Sequence, residues 1–235
     1  FQLNKLFHSI ESLQSARIEG NRTTLSDYFK FKLDNKKHKN ENIDEIINIE
    51  HTIGYINKLF EDNKDIRISN FIIKELHSII TNGLVTEGSV TPGCYRKTEV
   101  AIRNSKHKPP MAIKVQEYMD ELINWINSDA KIYEKPLKAA IAHHRFTWIH
   151  PFDNGNGRMS RLLTYFLLRQ YGYRMSYLMN LSAIFCINRE MYFDMLEKAD
   201  SGNNKELLEW CEYVLKGLNT EIGKMQKLLD KKYWL

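Results

Sequence analysis

Cysteine is scarce: Cys94, Cys186 and Cys211 are odd in number, widely spaced and form no Cys-x-x-Cys pair. That excludes a disulfide scaffold, argues against a zinc site and suits a reducing, cytoplasmic compartment. Proline and glycine are scarce too, at five and eleven in 235 residues. Collagen-like and low-complexity chains need many more, and so does a turn-rich all-β protein. No apolar run reaches the roughly 18 residues that cross a bilayer, so a membrane-spanning helix is excluded. An excess of one charge is lacking as well: 34 basic and 29 acidic residues intersperse to a net +5. This is solubility charge rather than the footprint of a nucleic-acid binder, a local patch aside. The chain opens on Phe1 rather than methionine, and the expectation is a trimmed N-terminus.

What is present is enough apolar material for a substantial core, 43% hydrophobic and 11% aromatic. The length suits one large or two small domains. Apolar spacing is helical nearly throughout. Leu3, Leu6, Phe7, Ile10 and Leu13 share one face, and Gly20 supplies a stop. Thr23 to Asp27 offer caps for a second helix through Tyr28 and Phe29. A lysine-rich loop is expected at Asp34 to Asn42, then helices over 43–60 and, capped by Ser69, 71–80. Between Gly83 and Pro110 the helical pattern disappears. Thr91-Pro92-Gly93 is turn chemistry and Val100-Ala101-Ile102 is β-prone before Asn104-Ser105, which predicts a small hairpin flap. Helices are expected again over 113–126, from Pro136 to about 149, over 158–171 with Gly172 as stop, and at 188–199 and 205–231. No repeat and no linker interrupts them. The expected fold is all-α with one small β-hairpin flap.

The informative segment is His150-Pro151-Phe152-Asp153-Asn154-Gly155-Asn156-Gly157-Arg158-Met159-Ser160-Arg161, between two helices. Glycines let the backbone turn sharply and approach a ligand, and the N–H groups of the following helix favour an anion. Arg158 and Arg161 sit on one face of that helix's first turn, where cations oppose the dipole. A bound polyphosphate resolves the conflict, because arginine binds phosphate oxygens bidentately. His150 at the rim suits a general base. His143 and His144 adjoin on a helix and point apart, which argues against a metal site with His150.

The whole segment resembles the signature of the Fic family, His-x-Phe-x-(Asp/Glu)-Gly-Asn-Gly-Arg-x-x-Arg, at all but one specified position. The likeness extends from Pro92-Gly93-Cys94-Tyr95-Arg96 to about residue 199. It implies transfer of a nucleoside monophosphate, usually AMP from ATP, onto a protein hydroxyl. His150 then matches the base, and Gly155, Asn156 and Gly157 the phosphate cradle. Arg158 matches the ligand of the diphosphate, Arg161 that of the γ-phosphate, and Phe152 the buried anchor. The family's acidic magnesium ligand is here Asn154, whose amide supplies no charge; adjacent Asp153 is the alternative. A weakened transferase is therefore expected. Two rivals stay open: a nucleotide-binding regulatory module, and transfer of another phosphate-containing group.

A second motif, Ser15-x-x-x-Glu19-Gly20, resembles the inhibitory motif of Fic proteins, in which the glutamate pairs with the signature's second arginine, here Arg161. The resemblance divides the chain into a regulatory helical region, 1–91, a core, 92–199, and a helical extension, 200–235. Its flap, with Tyr95, Arg96, Val100 and Ile102, is expected to receive a target protein's segment as an added strand along 95–103. A homodimer is a family-level expectation.

Overall fold

The computed structural model describes residues 2–34, 40–103, 105–173 and 180–232. The middle of the expected lysine-rich loop and Asn104 of the expected turn lie outside them. Among the described residues ten α-helices run in order: α1 (Gln2–Glu19), α2 (Leu25–Leu33), α3 (Glu41–Asp62), α4 (Asn70–Ile80), α5 (Val115–Asn127), α6 (Lys135–Ile149), α7 (Asn156–Gln170), α8 (Leu181–Cys186), α9 (Arg189–Ala199) and α10 (Asn204–Lys232).

Local chemistry sets most of the boundaries. Thr24, Ser69 and Asn188 cap α2, α4 and α9, each side-chain oxygen accepting the N–H three residues on. At the end of α1, Gly20 takes a left-handed φ of 111°. Its N–H donates to Arg17 O at 3.0 Å, and that of Asn21 to Ala16 O at 3.1 Å. This is a Schellman ending, and it makes Glu19 the last residue before the chain turns away. Gly172 ends α7 in the same way, through Tyr173 N–H to Leu168 O at 3.0 Å. The short α8 has no counterpart in the sequence reading; six residues are too few for a periodic signal.

Helix α7 is the centre of the molecule, buried on nearly every face from Arg158 to Leu168. Its apolar residues fill the core, and the polar ones buried with them, Arg158, Ser160, Arg161 and Thr164, find partners there. Helices α6, α3, α4 and α1 pack around it, and α10 closes the far side against α6, α8 and α9. The helix carrying Glu19 thus lies against the helix carrying both signature arginines.

The β-hairpin flap is absent: no strand occurs among the described residues, and 84–103 and 105–111 run as irregular chain. A three-residue run with β propensity needs a partner ladder, and Val100-Ala101-Ile102 has none. Arg96 donates its N–H to Pro151 O at 2.8 Å, to the signature loop rather than to a neighbouring strand. The turn at Thr91-Pro92-Gly93 does form, closed by Cys94 N–H to Thr91 O at 3.0 Å. Strand addition along 95–103 therefore has no sheet edge to join.

Candidate active site

Pro151 blocks continuation of α6, and His150, its C-cap, takes the left-handed region at φ 50°, ψ 60°. It is the one non-glycine residue with positive φ among the described residues. Such a conformation costs on the order of 1–3 kcal/mol and persists only when surroundings over-determine it. Arg96 does much of this, at 3% exposure. Its guanidinium donates to His150 O at 2.8 Å, Thr98 O at 3.1 Å and Pro110 O at 2.5 Å. The imidazole Nδ1 lies 3.3 Å from Thr147 O. A carbonyl only accepts, so Nδ1 carries the proton and Nε2 keeps a bare lone pair. Burial pushes the His150 pKa down to about 4, against the raising effect of the Thr147 carbonyl and with help from Arg96. The ring is a neutral acceptor at pH 7.

Phe152 holds the loop from below, wholly buried and stacked on His77 at 3.6 Å between ring centroids, with Tyr95 at 5.2 Å. Asn156 clamps it from within: Phe152 N–H donates to Asn156 Oδ1, and Asn156 Nδ2 donates to Phe152 O, both at 2.9 Å. The Asn156 side chain is thereby engaged by the loop itself, and what it offers a ligand is its backbone N–H. His77 adds two bonds, Nε2–H to Asn154 O at 3.1 Å and Nδ1 accepting from Gly93 N–H at 2.9 Å. Phe152→Ala should cost about 3–5 kcal/mol, roughly 6–20 °C in melting temperature for a chain of this size. A thermal unfolding scan checks it; a shift under about 2 °C would show that the loop does not depend on this ring.

Arg158 and Arg161 are 1% and 2% exposed, in the first turns of α7. Protein carboxylates surround them. Glu19 Oε1 accepts from Arg161 Nη2 at 2.6 Å, while Ser15 receives Nε on its Oγ at 2.8 Å and Nη2 on its carbonyl at 3.0 Å. Burial pushes the Glu19 carboxyl up, but Arg161 outweighs it, so Glu19 stays ionised below its ordinary range. Arg158 meets Glu87 O at 2.6 Å and Oε2 at 3.3 Å, and Glu45 Oε1 at 3.3 Å. Gly157 completes the contact. A Cβ there would collide with Glu19 Oε1, so the absent side chain lets the carboxylate lie against the start of α7. The first N–H groups of α7 face the same place without partners inside the helix.

Asp153 and Asn154, the two residues considered for magnesium, bind the chain above them. Asp153 Oδ1 accepts from Ser89 Oγ at 2.5 Å and Oδ2 from Val90 N–H at 2.8 Å. Asn154 Nδ2 donates to Thr86 O at 3.3 Å and Gly88 O at 3.0 Å, and Oδ1 accepts from Gly155 N–H at 2.7 Å. Glu41 anchors the other end of this segment, Oε1 accepting from Val85 N–H at 2.8 Å and Glu87 N–H at 3.2 Å. A hard cation needs free oxygens, and this pair does not fit one while it holds segment 84–93. Asn154→Asp should remove two donors and set a carboxylate against two carbonyls. At about 0.5–1.5 kcal/mol per hydrogen bond, local opening of 86–90 becomes easier by about 1–3 kcal/mol. Amide exchange there should accelerate roughly 5- to 150-fold; unchanged exchange would show that Asn154 does not hold the segment.

The structure brings together His150, Gly155, Asn156, Gly157, Arg158, Arg161, Ser15 and Glu19, with Phe152 beneath. Tyr95 is buried, its hydroxyl donating to Asn70 Oδ1 at 2.7 Å, and Val100 and Ile102 are half-buried in irregular chain. His143 and His144 diverge as expected: His143 bonds Thr164 and Tyr192, and His144 bonds Asp200. No cluster of three potential ligands suited to a metal occurs among the described residues. Sequence reasoning missed Glu45, Glu87 and His77. Glu45 could have been found as a carboxylate one turn before Ile49 on the isoleucine stripe of α3, and His77 as a polar residue beside Ile73 and Ile80 on α4. Glu87, in irregular chain, carries no such signal.

Residues 67–168, from just before α4 to the last turns of α7, match the family model described as the Fic/DOC family, and that stretch of the chain is of this family. Among curated proteins, "Protein adenylyltransferase Fic" of Culex quinquefasciatus is 28% identical over 207 residues, covering 86% of this chain and 37% of that protein. The protein of the same name from Drosophila yakuba is 33% identical over 168 residues, 68% of this chain and 32% of its own length. Among solved structures, a Fic family protein from Desulfovibrio desulfuricans G20 superposes with a TM-score of 0.78 at 24% identity, covering 95% of this chain and 66% of that one. Fic-1 from C. elegans gives 0.70 at 21% identity, covering 93% and 63%. These two likenesses show the fold. The chain spans only about a third of the length of these two curated relatives, at 37% and 32%.

Proposed function

We propose that this chain transfers AMP from ATP to a hydroxyl side chain of a target protein, and that Glu19 restrains it. The hydroxyl oxygen attacks the α-phosphorus, the bond from that phosphorus to the bridging oxygen breaks, and pyrophosphate leaves. His150 Nε2 takes the hydroxyl proton. Arg158, Arg161 and the N–H groups of Asn156 and Gly157 at the start of α7 hold the phosphates, while Gly155, whose own N–H is taken by Asn154 Oδ1, supplies the left-handed turn before them. Residues 1–91 form the regulatory part, with Ser15 and Glu19 facing the arginines. The observation that carries this reading is the neutral His150, its Nε2 unprotonated, on the same loop as two buried arginines at a helix start. The names of the curated relatives support the nucleotide and the kind of acceptor.

A second reading has its own observation. Asp153 and Asn154 hold segment 84–93 instead of presenting oxygens to a cation, which favours a module that binds nucleotide and turns over slowly. ATP labelled at the α- or the γ-phosphate separates the readings. Protein labelled from the α position is the expected result. Label from the γ position would replace AMP transfer by phosphoryl transfer, and binding without label would favour the module.

A further inference from the structure

Glu45 lies at the start of the second turn of α3, and its side chain is 3% exposed. Oε2 accepts from Asn21 Nδ2 at 2.8 Å, and the same amide donates to Asn42 O at 2.7 Å. Oε1 stands 3.3 Å from Arg158 Nη1 and receives no hydrogen bond, while Nη1 and Nε of Arg158 are buried and donate to nothing. Charge meets charge here without a bond between them. The cluster holds two guanidiniums, Arg158 and Arg161, and three carboxylates, Glu19, Glu45 and Glu87. Its formal charge is already negative by one before any ligand arrives.

A polyphosphate against Arg158 adds several more negative charges to this buried space. Buried charge left without compensation is expensive, and a titratable group neutralises instead. Glu19 and Glu87 are 27% and 35% exposed at the side chain and can swing outward. Glu45 faces inward from a packed helix and cannot leave. We propose that Glu45 takes up one proton when a polyphosphate binds at Arg158, making it a proton-linked positioning residue of the nucleotide site. The inference rests on the arginine pair being the phosphate site. The proton goes to Oε1, the oxygen without a donor, and turns a repelling neighbour of the phosphate into a hydrogen-bond donor.

The surroundings support this. Facing Glu45 are Arg158 of α7, Glu19 and Asn21 at the end of α1, and Glu87 of segment 84–93. Glu41, one turn earlier on α3, is engaged by the N–H groups of that segment. Burial raises the Glu45 pKa to about 7, Arg158 and Asn21 opposing it and Glu87 and Glu19 adding to it. Phosphate drawn to Arg158 weakens the opposing charge and adds its own.

Calorimetric titration with ATP and with inorganic triphosphate, in buffers of different ionisation enthalpy, reads the protons taken up. ATP and triphosphate release protons of their own near neutral pH, so the quantity read is wild type minus Glu45→Gln. Glutamine keeps an oxygen for Asn21. The difference should approach one proton at pH 8 and shrink at pH 6, where Glu45 is already protonated. Glu45→Gln should bind about tenfold more tightly than wild type at pH 8 and equally at pH 6, since one pH unit above the pKa costs a factor of about ten. A permanently neutral side chain that merely packed would show no such pH split. No difference in uptake at pH 8, or no binding of either ligand, overturns the proposal. If the glutamine chain does not fold, the wild-type carboxyl ¹³C signal titrating near pH 7 must move to its protonated position on adding triphosphate at pH 8; a signal that stays overturns it too. Proton uptake without AMP transfer would count against the proposed function alone, and AMP transfer without uptake against this inference alone.

Discussion

His150→Ala should remove transfer by at least the 10²–10⁴-fold typical of general acid–base catalysis while ATP binding stays nearly intact. The groups proposed to hold phosphate are independent of the ring: Arg158 and Arg161 are fixed by carboxylates and by Ser15, and the N–H groups by the helix start. The loop also survives, because Arg96 grips the His150 carbonyl rather than its side chain. Histidine enters the left-handed region more readily than alanine does, so a modest loss of stability is expected while the Arg96 contact still holds the turn. With its pKa down at about 4, the ring is neutral from pH 6 to 9, and the wild-type rate should show no step through 6.5 from this residue. Rates of α-phosphate labelling and calorimetric ATP affinity, measured side by side, check both halves. Unchanged labelling in the alanine variant would remove His150 from the chemistry.

Glu19→Gly should raise transfer about 5- to 150-fold, which corresponds to a coupling of about 1–3 kcal/mol. An exposed ion pair contributes about 0–1 kcal/mol, and breaking a buried one costs roughly 3–5 kcal/mol. This pair is intermediate, with the Arg161 side chain 1% and the Glu19 side chain 27% exposed. Two obstacles leave together: the carboxylate on Arg161, and its body against Gly157 where phosphate is proposed to lie. Arg161 stays in place because Ser15 still accepts from Nε and Nη2. Arg161→Ala should not mimic the activation, since it removes a phosphate ligand along with the latch. Glu19→Gln keeps the shape, loses the charge and should activate less. A glycine variant no faster than wild type at saturating ATP would end the inhibitory reading.

Local signals named most of the helices before any tertiary contact was known. Caps such as Ser69, stops such as Gly20 and Gly172, and a 3.6-residue apolar period act within one or two turns of chain, so sequence order alone expresses them. The loop from His150 to Arg161 was legible for the same reason, all its parts lying within twelve residues. The flap was misread because a strand is made by its partner, and Val100 to Ile102 has none. Pairing across distance was open to the sequence only where a motif reported it, as for Glu19 and Arg161. Where no motif did, folding alone decided: Glu45 and Glu87 meet Arg158 from positions 113 and 71 residues away, and Asp153 turns to Ser89 and Val90. A guanidinium attracts whichever carboxylates the packing of α3, α7 and segment 84–93 brings near it, and nothing in their own short stretches of chain records that choice.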